Sequence, residues 1–283
     1  MPELPEVETV RRGIEPTCLN AKISEVEIRR PDLRWPFPKD MKERLMGATI
    51  TNLRRRSKYL LLDTDRKDIW LIHLGMSGRL SVSGRATANF HNQIDALEKH
   101  DHVFVGFKSG HSLTYNDPRR FGAMDVFYAK EELTHPLIKT IGPEPLGNAF
   151  DAPYLGEKLS GKTASIKSAL LDQRVVAGLG NIYVCEALWR TGIHPTRAAG
   201  KISAPRLENL VVHIREVLRD AIAAGGSSLN DYRQADGELG YFQHRFAVYD
   251  QEGEACKKPD CTGSIKRIIQ SGRSSYYCSK CQR

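Results

Sequence analysis

Four cysteines near the end of the chain constrain its folding most. They stand as Cys256-x4-Cys261-x16-Cys278-x2-Cys281. Two short-spaced pairs separated by a ribbon-length stretch are the arrangement in which each pair supplies two thiolates to one tetrahedral ion. Two disulfides or four free thiols are the alternatives, and disulfides need an oxidising compartment. A four-thiolate site leaves no open ligand position, so the single structural Zn2+ expected here folds the tail and does not catalyse. Cys18 and Cys185 stand alone and read as packing residues.

The same tail is strongly basic. From Cys256 onward, Lys257, Lys258, Lys266, Arg267, Arg273, Lys280 and Arg283 face a single acid, Asp260, within a chain of 283 residues and net charge +8. That concentration makes a polyanion such as nucleic acid the leading partner class, against the plainer reading of a merely basic enzyme. With 40% apolar and 27% charged residues, the chain is an ordinary globular one, which excludes wholesale disorder, collagen and coiled coil. No stretch approaches the roughly 18 apolar residues of a membrane span. The start, Met1-Pro2-Glu3-Leu4-Pro5-Glu6, lacks a basic segment followed by an apolar one, so a soluble, cytoplasmic protein without membrane contact is expected.

At roughly 150 residues per domain the length predicts about two domains. Val7, Val10 and Ile14 recur at helical spacing, predicting a helix over 2–16 that Pro16 stops. Short apolar runs follow at 23–28, 49–53, 59–62, 69–74, 79–82, 103–107, 113–115 and 123–127, which predict a β-sandwich or barrel. Ser109-Gly110 suits a hairpin turn, and the polar stretch 84–100 reads as a surface loop. After Gly142-Pro143-Glu144-Pro145 the pattern turns helical, at 165–171, 181–190 and 207–223, and Gly225-Gly226 ends the last helix. A polar loop over 227–245 leads into the tail. The fold class is therefore α+β, divided as 1–143, 144–245 and 246–283.

Between the cysteine pairs, residues 265–277 read as strand, turn, strand, with Gly272 presenting Arg273 at the tip. An arginine there suits phosphate, because its planar fork gives bidentate bonds; a solvated side chain is the alternative. In 172–181 two glycines open a helix with Asn181 at the N-cap, which is either ordinary capping or an anion site. At the N-terminus, removal of Met1 before the small Pro2 would expose a secondary amine. An α-amino group titrates near 8, against about 10.4 for lysine, so about a tenth of it is neutral and nucleophilic at pH 7. Attack on a sugar C1′ would give an iminium that acidifies C2′, with Glu3 adjacent to shuttle protons.

Taken together, these segments resemble the formamidopyrimidine-DNA glycosylase (Fpg/MutM) family along nearly the whole chain. The resemblance rests on the opening residues 2–10, Ser57-Lys58-Tyr59-Leu60, His73-Leu74-Gly75-Met76-Ser77-Gly78, Lys99-His100-Asp101-His102, Asp117-Pro118-Arg119-Arg120-Phe121-Gly122, the Asn181 segment and Gly272-Arg273-Ser274. It implies a bifunctional DNA glycosylase and abasic-site lyase of base excision repair that excises 8-oxoguanine and formamidopyrimidines from double-stranded DNA. By the resemblance Pro2 is the nucleophile that forms a Schiff base and Glu3 the glycosylase proton donor. Lys58 and Arg273 are the proton donors of β- and δ-elimination. DNA contacts carry over to His73, His100, Arg119, Lys162, Lys167 and Asn181.

A base inside a duplex cannot be attacked at C1′, so the nucleotide must be flipped out and its void filled. Met76, Arg119 and Phe121 match the family's void-filling trio, although Met76 and Phe121 alone would read as core. The family architecture then reads as a catalytic sandwich domain, a helix-two-turn-helix domain and a zinc finger, acting as a monomer. The loop 227–241 matches the segment that covers the flipped base. Two features depart from the family pattern: four residues instead of two inside the first cysteine pair, and the length of 84–100. An endonuclease VIII-like glycosylase for oxidised pyrimidines and a non-catalytic zinc-ribbon DNA-binding protein are the rival readings; Leu4 opposes the first, and the second leaves Pro2, Glu3 and Lys58 without a task.

Overall fold

A computed structural model describes residues 2–83, 98–227 and 240–283. Met1 and most of the two loops at 84–100 and 227–241 lie outside the described residues. The chain forms two compact units, Met1–Lys139 with Gly225–Gly240, and Thr140–Ala224 with Tyr241–Arg283.

The first unit opens with helix α1, Leu4–Cys18. Its start is fixed locally: the Glu6 carboxylate accepts the Glu3 backbone N–H at 2.8 Å, satisfying one of the donors a helix N-terminus leaves over. Leu4, Val7, Val10 and Ile14 form its buried stripe. Pro16 does not stop this helix but lies inside it. In the last turn a proline forfeits a single intrahelical bond, while the fully buried Cys18 and the Leu19 N–H donating to Glu15 O at 2.9 Å carry the turn onward.

Eight strands follow, matching the eight apolar runs. They are β1 (Ile23–Ile28), β2 (Ile50–Arg56), β3 (Tyr59–Thr64), β4 (Asp68–His73), β5 (Arg79–Ser83), β6 (Asp101–Phe107), β7 (Ser112–Asn116) and β8 (Ala123–Tyr128). They form two antiparallel four-stranded sheets, ordered β1-β6-β7-β5 and β2-β3-β4-β8. One core joins both sheets to α1, with Trp70, Ile72, Leu60 and Leu62 from one sheet, Val26, Val105, Leu113 and Tyr115 from the other, and Val10 and Ile14 from the helix. Each such fully buried side chain contributes about 1.5–3 kcal/mol. This is the expected sandwich. A short helix, α2 (Met41–Leu45), escapes a periodicity reading because it is barely one turn long.

The second unit holds α3 (Ala152–Leu159), α4 (Ile166–Leu171), α5 (Asn181–Thr191) and α6 (Ala204–Ala223), then the hairpin β9 (Ile265–Gln270) and β10 (Arg273–Cys278). Helix α3 carries Pro153 and Gly156, which hid it from the helical pattern. Helix α5 is the hub, with every residue from Ile182 to Leu188 buried. Its Glu186, itself buried, accepts the N–H groups of Ala247, Val248 and Tyr249 at 2.9–3.1 Å, which locks the strap leading into the tail. Burial pushes this carboxyl up, while those N–H bonds and Arg190 oppose it. Cys185 and Trp189 of α5 pack with Val248, Ile265, Tyr276 and the tail cysteines, so the cysteine hairpin shares its small core with a helix.

Candidate functional site

In the first unit, Pro2 and Glu3 are buried at the mouth of α1, and Glu3 is the N-cap. Glu6 holds this segment from two sides, since its other oxygen accepts the Ser227 N–H at 2.8 Å and the Ser227 hydroxyl at 2.9 Å. Glu6 had no role in the sequence reading; its signal was an acid three residues after a helix cap. Lys58 is also buried, in the β2–β3 turn where Ser57 takes a positive φ of 56°. Arg55 connects that turn to α1, donating to Ser57 O at 3.0 Å and to Glu8 at 3.2 Å.

His73 pairs with Tyr59 across β3 and β4, their rings 4.9 Å apart. Burial, then the positive charges of Lys58 and Arg34, push its imidazole down to about 4 against the opposing pull of Asp117. It is neutral at physiological pH, and its Nδ1 accepts the Gly75 N–H at 3.2 Å.

Two turns follow β4 and β7, and they abut. A Cβ on Gly75 would lie 2.4 Å from the Phe121 carbonyl carbon and from Gly122 N, so only glycine permits this approach. The fully buried Asp117 carboxylate staples them, accepting the Ser77 hydroxyl at 2.7 Å and the Gly122 N–H at 2.9 Å. Burial beside Asp117 drives the Tyr115 phenol well above its usual range. Met76 and Phe121 stay out of the core, 39% and 43% exposed, and the Arg119 guanidinium lies 4.9 Å from the Phe121 ring centre. Exposed apolar side chains on turns held this rigidly suit insertion into a partner more than packing. His100 is half-buried beside them, its carbonyl accepting the Asp117 N–H at 3.0 Å.

The second unit holds the remaining residues. Lys162 is exposed. Gly180, not Asn181, is the N-cap of α5. Asn181 is the first helical residue, and its Nδ2 donates to Ser274 O at 2.9 Å, because tertiary contact with the hairpin outcompetes local capping. Lys167 is buried, its ammonium donating to the same Ser274 carbonyl at 2.7 Å and to Ser275 Oγ at 2.6 Å. Both residues thus hold the strand that begins with Arg273. Arg273 is exposed just past the tip, where Ser271 and Gly272 have φ of 49° and 74°. The glycine loop before α5 is shaped by Gln173, whose amide accepts the Gly178 N–H at 2.8 Å and donates to Leu179 O at 2.8 Å.

The four tail cysteines bring their sulfurs within 4.8 Å of one another. The pairs Cys256–Cys281 and Cys261–Cys278 lie 3.8 and 3.6 Å apart, far beyond a disulfide bond and near the roughly 3.8 Å edge of a tetrahedron with metal–sulfur bonds of about 2.3 Å. Although burial pushes the Cys278 thiol up, backbone N–H groups of Cys281 and Lys280 and the neighbouring thiols bring it down to about 7, whereas burial and the neighbouring thiols push Cys281 up, as crowded sulfurs do when no cation shares them. The donor set fits one tetrahedral metal ion.

Three lysines of the two cysteine knuckles donate to oxygens of the chain. Lys257 donates to Phe246 O, Lys258 to Arg190 O at 3.0 Å, and Lys280 to Thr262 Oγ1 at 2.6 Å. Part of the tail's positive charge therefore makes internal bonds, while Lys266, Arg267 and Arg273 on the hairpin stay exposed.

A sandwich with a buried Pro-Glu helix start, and a helical unit bearing a four-cysteine hairpin with an arginine at its tip, define a nucleic-acid enzyme with a metal-binding tail. The profile of the formamidopyrimidine-DNA glycosylase N-terminal domain matches residues 1–124, and that of the family's H2TH domain matches 141–233. The chain belongs to the formamidopyrimidine-DNA glycosylase family. It is 58% identical over 283 residues to the formamidopyrimidine-DNA glycosylase of Jannaschia sp. (strain CCS1) and 57% to that of Ruegeria sp. (strain TM1040), covering 100% of each chain. Among solved structures it is similar to a Lactococcus lactis Fpg mutant in complex with a Fapy-dG-containing DNA, with a TM-score of 0.89, 37% identity and all of both chains covered. It is also similar to MutM (Fpg) from Thermus thermophilus, with a TM-score of 0.86, 35% identity and 99% and 98% of the two chains covered.

Proposed function

We propose that this chain excises oxidised purines, 8-oxoguanine and formamidopyrimidines, from duplex DNA and then cleaves the strand at the abasic site. The observation that carries the reading is the start of α1, where Pro2 and Glu3 are buried and Glu6 fixes the Glu3 backbone. Relatives named formamidopyrimidine-DNA glycosylase, and Fpg structures bound to Fapy-dG and abasic-site DNA, support it.

After Met1 is removed, the Pro2 amine attacks C1′ of the flipped nucleotide and the glycosidic bond to the base breaks; the C1′–O4′ bond then opens, O4′ taking a proton with Glu3 as the donor, and the nitrogen lone pair closes the iminium. The resulting iminium acidifies the C2′ proton. Its loss expels the 3′ phosphate, with Lys58 as the proton donor of this β-elimination. A second elimination, with Arg273 as donor, expels the 5′ phosphate and leaves a one-nucleotide gap.

Met76, Arg119 and Phe121 fill the vacated stack, while His73, His100, Lys162 and Asn181 contact the backbone. Lys167 supports them by holding the strand that carries Arg273. Cys256, Cys261, Cys278 and Cys281 hold one Zn2+, which supplies folding energy to the tail and no step of the reaction. The enzyme works as a monomer in the cytoplasm.

Borohydride trapping on a duplex with 8-oxoguanine opposite cytosine, followed by mass spectrometry, tests this. The adduct is expected on Pro2, and Pro2→Gly is expected to weaken or abolish excision while lesion binding persists. Tight binding without any adduct, or normal turnover by Pro2→Gly, would overturn the mechanism.

A further inference from the structure

In the loop 29–37, Leu33 and Phe37 are buried and the three residues between them are exposed. Leu33 and Phe37 are core residues, the Phe37 N–H donates to Pro31 O at 2.9 Å, and the Leu33 N–H donates to Trp35 O at 3.1 Å. Between these anchors Arg34 is exposed and Trp35 is 45% exposed. An exposed tryptophan on a rigid loop needs a reason, because its large apolar surface is usually covered.

Arg34 supplies one. Its guanidinium lies 4.8 Å from the centre of the Trp35 ring, and among the described residues no carboxylate lies within ion-pair distance of it. Most other arginines of this unit differ: Arg11, Arg12, Arg30, Arg44, Arg54 and Arg55 are all paired with acids. Stacking on an indole fixes the plane of a guanidinium while its N–H edge stays free for a bidentate acceptor.

The loop also has a defined place. The Arg34 N–H donates to Gly122 O at 3.2 Å, so the loop is fastened to the Phe121–Gly122 turn, which itself abuts the Met76 turn. Three exposed apolar residues, Trp35, Met76 and Phe121, thus stand on adjoining turns, with Arg34 and Arg119 each laid over an aromatic ring. The Arg34 charge also reaches the Lys58 pocket, where it is among those that disfavour protonation of His73.

We propose that Arg34 and Trp35 form a further DNA-backbone clamp, with the Arg34 guanidinium bonding a phosphate and Trp35 holding that guanidinium in plane. The inference rests on the duplex-DNA reading above. Trp35 is a positioning residue here and touches no reacting atom.

The test is the salt dependence of binding to a duplex carrying an uncleavable tetrahydrofuran abasic analogue, with native circular dichroism checked for each variant. Wild type should show a steep slope, and a flat one would remove the DNA reading itself. Arg34→Gln should lower the slope by about 0.9, the value of one phosphate contact, and weaken binding about tenfold or more. Arg34→Lys should restore the slope but not the full affinity, since the ammonium lacks the fork. Trp35→Ala should reproduce part of the Arg34→Gln loss and add nothing to it in the double variant. An unchanged slope in Arg34→Gln overturns the clamp, and additive losses in the double variant overturn the part given to Trp35.

Discussion

His73 shows how a single residue's surroundings set its chemistry. An exposed imidazole would be half-protonated near pH 6.5, but burial beside Lys58 and near Arg34 keeps this one neutral down to about 4. Above pH 6.5 folded and unfolded states are both neutral, so the site contributes no pH dependence. Between 6.5 and 4 the unfolded chain takes up a proton that the folded one refuses, and stability falls by up to about 3 kcal/mol before levelling off. Between pH 7.5 and 5.0, urea unfolding should therefore show wild type losing about 2 kcal/mol more than His73→Gln. Equal losses would contradict the buried, neutral assignment. The residue was legible in its motif, whereas its protonation was not, because Lys58 and Arg34 are remote from it in sequence.

At the scale of elements, the paired turns after β4 and β7 are held by backbone approach and one carboxylate. Gly122 illustrates how little room remains, since an added Cβ would lie 1.7 Å from the Tyr115 hydroxyl and 2.8 Å from His73 O. Tyr115 is fully buried and cannot swing aside. Gly122→Ala is expected to cost about 1–3 kcal/mol through overpacking, read as a lower urea midpoint, and to shift Phe121. An unchanged midpoint would show the turn to be looser than these contacts require. The strands around these turns were readable because apolar runs and hairpin breaks are local signals. The Asp117–Ser77 bond was not, as it joins turns that lie 40 residues apart in the chain. Pro16 and Asn181 were misread for the same reason: Cys18 burial and the Ser274 carbonyl act from outside the local sequence.

For the whole molecule, charge and metal matter most. The basic tail pointed to a polyanion, yet Lys258 bonds the Arg190 carbonyl of α5 and Lys257 that of Phe246, so part of this charge bolts the tail in place. The tail core is small and shared with α5 through Cys185 and Trp189. Cys278→Ser, or removal of the metal with a strong chelator, should release the hairpin and with it Arg273. Metal analysis should then read below one ion per chain, Trp189 fluorescence should change as its contact with Cys256 at 3.4 Å is lost, and DNA affinity should fall. Full metal content with unaltered binding would contradict this account.

By itself the sequence determined the fold class, the strand runs, the pairing of the four tail cysteines in one cluster and the motifs of the family, since each depends on spacing along the chain. Tertiary structure alone decided that Lys167 is buried behind the Arg273 strand, that Glu6 joins Glu3 to Ser227, and that Arg34 has an indole and, among the described residues, no acid beside it. The physical reason is that burial, charge compensation and hydrogen-bond partnership arise between residues far apart in sequence, which only the folded chain brings together.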